Sequence, residues 1–133
     1  MPLFTWDKKY SVNNEELDDQ HKNIYDIFNR LYDKCFDRDI RVFLVPIYEE
    51  LLSYLKYHRI AEEQYMASIG YRYIDKHISE HWFFKDRLYK QQTIVDIGDA
   101  VLSKERVIYL WSWFLNHVMI EDKKYSIEVG RRY

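Results

Sequence analysis

Apolar residues recur along this chain at three-and-four spacing in four long stretches, a pattern that predicts four amphipathic helices. The first follows an N-terminal arm that runs through about Asn14, and it aligns Leu17, His21, Ile24, Tyr25, Phe28, Leu31, Tyr32 and Cys35 on one face. The second is expected over about Arg41 to Ser68, with Leu44, Tyr48, Leu51, Leu55, His58, Glu62, Tyr65 and Ile69 in line. Pro46 is expected in its opening turn and Gly70 at its end. The third, about Tyr73 to Gln91, carries Ile74, His77, His81, Phe84 and Leu88. A connection over Thr93 to Leu102, with Gly98 and Asp99 marking a turn, leads to Ser103 as the N-cap of the last helix. There Val107, Leu110, Trp113, Phe114, His117 and Ile120 precede Asp122. Helices of this kind with short connections pack as an all-α, antiparallel up-down-up-down four-helix bundle, here with an N-terminal arm.

Composition narrows the picture in three ways. A chain of 133 residues is long enough to bury one real core and too short for two, so residues 1–133 read as a single domain. Three glycines and two prolines are too few to punctuate many short strands, which favours long helices. A net charge of −2, from 20 basic and 22 acidic residues, leaves no basic excess for nucleic acid or anionic lipid. The N-terminus shows no basic segment followed by an apolar run, and no stretch of about 18 apolar residues occurs. The expectation is a cytoplasmic protein with no membrane insertion and a small or uncharged partner. Cys35, the single cysteine, excludes an internal disulfide and reads as a small buried apolar group.

The chemistry lies in polar residues that interrupt the apolar stripes. All five histidines belong to one array with two acids: His21, His58 with Glu62, His77 with His81, and His117 with Asp122. At about 3.6 residues per turn, the spacing of four puts His58 with Glu62, and His77 with His81, on one face of their helices. Asp122 is the awkward member, because five residues turn through about 500° and leave it about 140° round from His117. A straight helix does not pair them; a local bulge, or a carboxylate reaching in from the side, does. Taken singly, each histidine reads as an ordinary hydrogen-bonded core residue. Together, five histidines and two carboxylates in one core need partners that a metal would satisfy at once. Imidazole alone does not name the metal, but seven ligands with two carboxylates able to bridge suit a pair of octahedral ions better than a closed four-ligand zinc site.

The ordered pattern H…HxxxE…HxxxH…HxxxxD resembles that of the hemerythrins at all seven positions. The likeness extends to Trp6 in the arm, to Asp18-Asp19-Gln20-His21-Lys22, to Glu62-Glu63 and Met66 after His58, and to Trp113-Phe114-Leu115-Asn116-His117. It covers nearly the whole chain. The resemblance implies two iron ions joined by an oxo or hydroxo bridge, with His77, His81 and His117 on one iron, His21 and His58 on the other, and Glu62 and Asp122 bridging. It leaves one position on the second iron open to dioxygen, the expected partner. It also implies an oxygen pocket walled by Trp113, Phe114 and Ile120, with Tyr125 near the cluster.

Four positions, at three places in the chain, depart from the family pattern. Arg59 stands where a phenylalanine usually faces the pocket, and it either turns outward or brings water or an anion near the open iron. Arg72 replaces a common proline, and Asn13-Asn14 stands where Gly-Ile is common.

The function implied is reversible oxygen binding, for carriage, storage or scavenging, rather than enzymatic turnover. Two ferrous ions with two carboxylates and one hydroxide leave about +1 at the cluster, whereas carboxylate-rich di-iron enzymes supply more negative charge and favour high-valent iron. Alternatives are an oxygen- or redox-sensing module and a di-iron enzyme that reduces nitric oxide or peroxide.

Overall fold

The computed structural model describes residues 4–34, 40–97 and 104–132. Cys35, the Gly98-Asp99 turn and the Ser103 cap lie outside the described residues, as does the side chain of Leu44. The architecture is the expected all-α bundle: α1 (Glu15–Lys34), α2 (Ile40–Ser68), α3 (Ile74–Ile97) and α4 (Lys104–Asn116). The last continues through a π turn, His117–Asp122, into α5 (Lys123–Arg132). Helix α1 packs against α2 and α4, and α2 against α3. The α1 stripe is buried as its spacing requires, with Leu17, His21, Ile24, Tyr25, Phe28 and Leu31 all withdrawn from solvent.

Helix ends follow local chemistry. Asn14 caps α1, its side-chain oxygen accepting from the Leu17 amide at 3.0 Å. Asn13 before it has φ +57°, a left-handed conformation that asparagine tolerates, and this accounts for its standing where a glycine is common. Gly70, at φ +64°, ends α2. The Gly70 amide donates to the Ala67 carbonyl and the Tyr71 amide to that of Met66, the paired bonds of a Schellman motif, while Met66 and Tyr71 are buried in one cluster.

Two expectations are corrected. Helix α2 begins at Ile40, so Pro46 lies inside the helix and not in its opening turn; its ring nitrogen gives no hydrogen bond to the Val42 carbonyl. Helix α3 runs past Gln91 to Ile97, because nothing in Gln92 to Ile97 breaks a helix before Gly98. The last helix, given no end by its pattern, continues past Asp122 to Arg132.

The core divides in two along the bundle. At one end Phe28, Leu31, Tyr48, Leu51, Leu88, Leu110 and Trp111 form an apolar cluster; at the other Val12, Leu17, Met66, Tyr71 and Tyr125 form a smaller one. The arm is tied to the first by Phe4, which stacks on Trp111 with ring centroids 4.3 Å apart and exchanges two hydrogen bonds with the Asn29 side chain. The seven array residues sit among these helices. No helix among the described residues is long and apolar enough to cross a membrane.

Candidate metal centre

Each helix brings its part of the array to one place. His21 comes from α1, His58 and Glu62 from α2, His77 and His81 from α3, and His117 and Asp122 from the π turn. The turn resolves the spacing of the last pair. Closing a helical turn at i→i+5 admits one residue more than an α-turn and brings His117 and Asp122 onto one face. Glu62 and Asp122 are completely buried, and none of the five histidines exceeds 9% side-chain exposure.

The ligand atoms form two overlapping groups. In one, Glu62, His77, His81, His117 and Asp122 each present an atom within 4.8 Å of the others; in the second, His21, His58, Glu62 and Asp122 do so. The carboxylates belong to both, and their oxygens divide between them. Glu62 Oε1 lies 2.7 Å from His77 Nε2 and 3.0 Å from His81 Nε2, while Oε2 lies 3.2 Å from His58 Nε2 and 3.7 Å from His21 Nε2. Asp122 Oδ1 faces His77 and His117 at 2.9 and 3.0 Å, and Oδ2 faces His21 at 3.3 Å.

This donor set fits cations. Both Asp122 oxygens are buried without a hydrogen bond, since the imidazole nitrogens near them are not in hydrogen-bonding geometry. The Nε2 atoms of His21 and His58 lie 3.1 Å apart, as do those of His77 and His117. Neighbouring imidazoles that turn the same nitrogen toward one point share a common electrophile more readily than they bond to one another.

Electrostatics agree. Burial works against the charged form of His21 and His77, but the adjoining carboxylates outweigh it and lift both to about 9; His117 rises to about 10 beside Asp122. Burial instead wins at His58, which titrates below the ordinary histidine value. Burial alone would raise Glu62 and Asp122, yet the imidazoles around them hold both well below the ordinary carboxylate range.

Around these lies an outer layer that the sequence did not disclose. Gln20 Oε1 accepts from His58 Nδ1 at 2.7 Å, Glu63 Oε1 lies 3.4 Å from His81 Nδ1, and Glu80 Oε2 lies 3.3 Å from His117 Nδ1. Each of the three is next in sequence to an array residue on its own helix and faces a histidine on a later one; Gln20 and Glu63 are in hydrogen-bonding geometry, whereas His117 Nδ1 has only the charge contact with Glu80. A partner at Nδ1 fixes the tautomer and leaves Nε2 free to bind metal. Adjacency to a ligand was the available signal, but the partner lies across a helix interface. Tyr125, expected near the cluster, is buried and donates its hydroxyl to Glu62 Oε2 at 3.2 Å.

The expected pocket residues part company. Phe114, Trp113 and Arg59 line a partly open cavity of about 50 Å³ whose walls include Leu52, Leu55, Phe84 and Leu88 and which reaches His58, His81 and His117. Trp113 is stacked on His117 at 5.3 Å. Ile120 is not in the lining of that cavity: it is 56% exposed and lies on a second, more open groove beside Glu80 and Glu121, which shares Trp113 and His117 with the cavity. The cause is the π turn, whose smaller rotation per residue carries Ile120 off the face that a regular helix would give it.

Comparisons with known proteins agree with this geometry. Residues 12–126 match the family model described as hemerythrin HHE cation binding domain. The chain is 25% identical to a bacteriohemerythrin of Clostridium acetobutylicum, an alignment covering 92% of this chain and 98% of that one. It is 29% identical to a bacteriohemerythrin of Methylococcus capsulatus over 95% and 96% of the two chains. A crystal structure of wild-type hemerythrin superposes with a TM-score of 0.88 at 28% identity, covering 93% of this chain and 95% of that one.

Proposed function

This chain belongs to the hemerythrin family, and on that premise we propose that it is a single-domain, cytoplasmic protein that binds dioxygen reversibly at a pair of iron ions. His77, His81 and His117 would hold one iron and His21 and His58 the other, with Glu62 and Asp122 available to both. The observation that carries this reading is the division of each carboxylate's oxygens between the two groups of histidines. A ferrous pair would supply the two electrons that oxygen binding takes up and release returns.

The chain's own residues do the rest. Two histidines on one side against three on the other leave that side one protein ligand short, which is where a small molecule has room. Leu52, Leu55, Phe84, Leu88 and Phe114 give the cavity beside His58 apolar walls, and a dry site slows the ligand exchange that would end reversibility. Tyr125 holds Glu62 through its hydroxyl, while Gln20 holds His58 in the tautomer that leaves Nε2 free.

Iron analysis and oxygen spectra test this reading. The purified protein is expected to carry about two irons per chain, and the reduced protein is expected to colour on exposure to oxygen and bleach again under vacuum. One zinc and no iron would overturn the site. Oxygen consumption without a recoverable colourless state would move the reading to an enzyme.

A further inference from the structure

The cavity beside the centre opens between α2 and α3, and its rim is unlike its walls. Lys56, Arg59 and Lys85 are its solvent-reached cations, while His58, His81 and His117, none more than 9% exposed at the side chain, lie deepest. We infer that this cleft is the ligand entrance to the centre and that its cationic rim selects small monovalent anions of a few heavy atoms, such as azide or nitrite. The inference rests on the reading of the cluster as a metal centre.

Size sets the first limit. About 50 Å³ of space holds roughly three to five water-sized groups at the ~10–15 Å³ that each requires, which suits a ligand of a few heavy atoms. Charge sets the second. Lys85 Nζ lies 4.3 Å from the centroid of the Trp82 ring and Arg59 Cζ lies 5.3 Å from it, so one exposed indole holds two cations beside the opening.

The acid nearest Arg59 does not cancel them. Glu63 Oε2 is 3.9 Å from the guanidinium, a long contact, and its other oxygen is engaged with His81. Inside, the lining contains imidazoles but neither Glu62 nor Asp122, so an entering anion meets no carboxylate of the cluster. A cationic opening over low-dielectric walls focuses the field along the cleft and raises the local concentration of anions. Dioxygen, being neutral, gains nothing from it. Arg59 therefore neither snorkels freely into solvent nor lies loose in the pocket; Trp82 and Glu63 hold it at the opening.

Stopped-flow binding of azide to the oxidised and of dioxygen to the reduced iron-loaded protein tests the selection. Azide association is expected to slow by about tenfold as ionic strength rises from about 10 mM to about 500 mM, and dioxygen association to stay constant. In Arg59→Gln/Lys85→Gln, the low-salt ratio of azide to dioxygen rates is expected to fall by about tenfold. Salt-independent azide binding, or an unchanged ratio, would overturn the inference.

A second readout needs no metal. In the metal-stripped protein, iodide should quench tryptophan fluorescence more strongly, relative to neutral acrylamide, in the wild type than in the double variant, and Trp82→Phe should remove most of that difference. Equal relative quenching in all three would overturn the rim. If neither azide nor dioxygen changes the spectrum of the loaded protein, the metal-centre reading fails, and the quenching result still decides the rim.

Discussion

Glu62 reaches the centre from a regular α-helix, four residues after His58, whereas Asp122 reaches it from a π turn, five residues after His117. The two backbones deliver the same result: a completely buried carboxylate with one oxygen toward each group of histidines. The chemistry of a bridge specifies where two oxygens lie and is indifferent to the helix type that brings them there.

The difference shows on the outside. In α2 the residues between the ligands keep the ordinary helical phase, and Arg59 lines the cavity; in the π turn that phase is lost, and Ile120 is turned out to solvent. An extra residue in a turn therefore changes what surrounds the centre more than what composes it.

The sharpest way to break the equivalence is to remove each carboxylate in turn. Glu62→Ala and Asp122→Ala are both expected to bring the iron content from about two per chain toward zero, since each removes a ligand from both groups at once. Circular dichroism should show the bundle retained, because the two apolar clusters supply most of the burial. Loss of both irons in one variant and retention in the other would show that the two carboxylates are not equivalent bridges.

A smaller effect is expected one layer out. Gln20→Leu removes the acceptor from His58 Nδ1 and should weaken metal binding by about 10- to 100-fold, the usual consequence of losing such a partner. Metal titration against a competing chelator measures this, and the same assay on Glu63→Gln and Glu80→Gln compares supports given to regular helices with support given to the π turn. Unchanged affinity in Gln20→Leu would remove it from the machinery of the site.

The smallest effect comes from making the two helices alike. Deleting Ile120 takes one exposed residue from the π turn and leaves His117 and the aspartate four apart, the spacing that an α-helix pairs naturally. Iron should still bind, within about tenfold of the wild-type affinity, in a helix with regular hydrogen bonding. Complete loss of iron in this variant would show that the π turn places Asp122 in a way that an α-turn cannot.

Much of this protein is legible along the chain. Three-and-four periodicity reports which face of a helix is buried, and it placed the stripes of α1 and the ligand pairs His58 with Glu62 and His77 with His81, because those relations depend only on residues within one turn or two. The ordered pattern of the seven array residues carried the likeness to the family. The same locality placed Pro46 in a first turn and ended α3 early, while the likeness to the family assigned Ile120 to the pocket. Each of those rests on where a helix starts or stops, or on whether its phase is kept, and the surrounding packing decides such matters.

What only the tertiary structure decided lies between helices. The partnership of Gln20 with His58, of Glu63 with His81 and of Glu80 with His117 depends on how neighbouring helices are rotated and offset. The division of each carboxylate's oxygens depends on four helices at once, and the position of Arg59 at a cationic opening depends on Trp82 across the α2–α3 interface. A one-dimensional pattern fixes which residues can face inward on each helix; the distances between inward faces come from close packing of the whole bundle, which no single segment encodes.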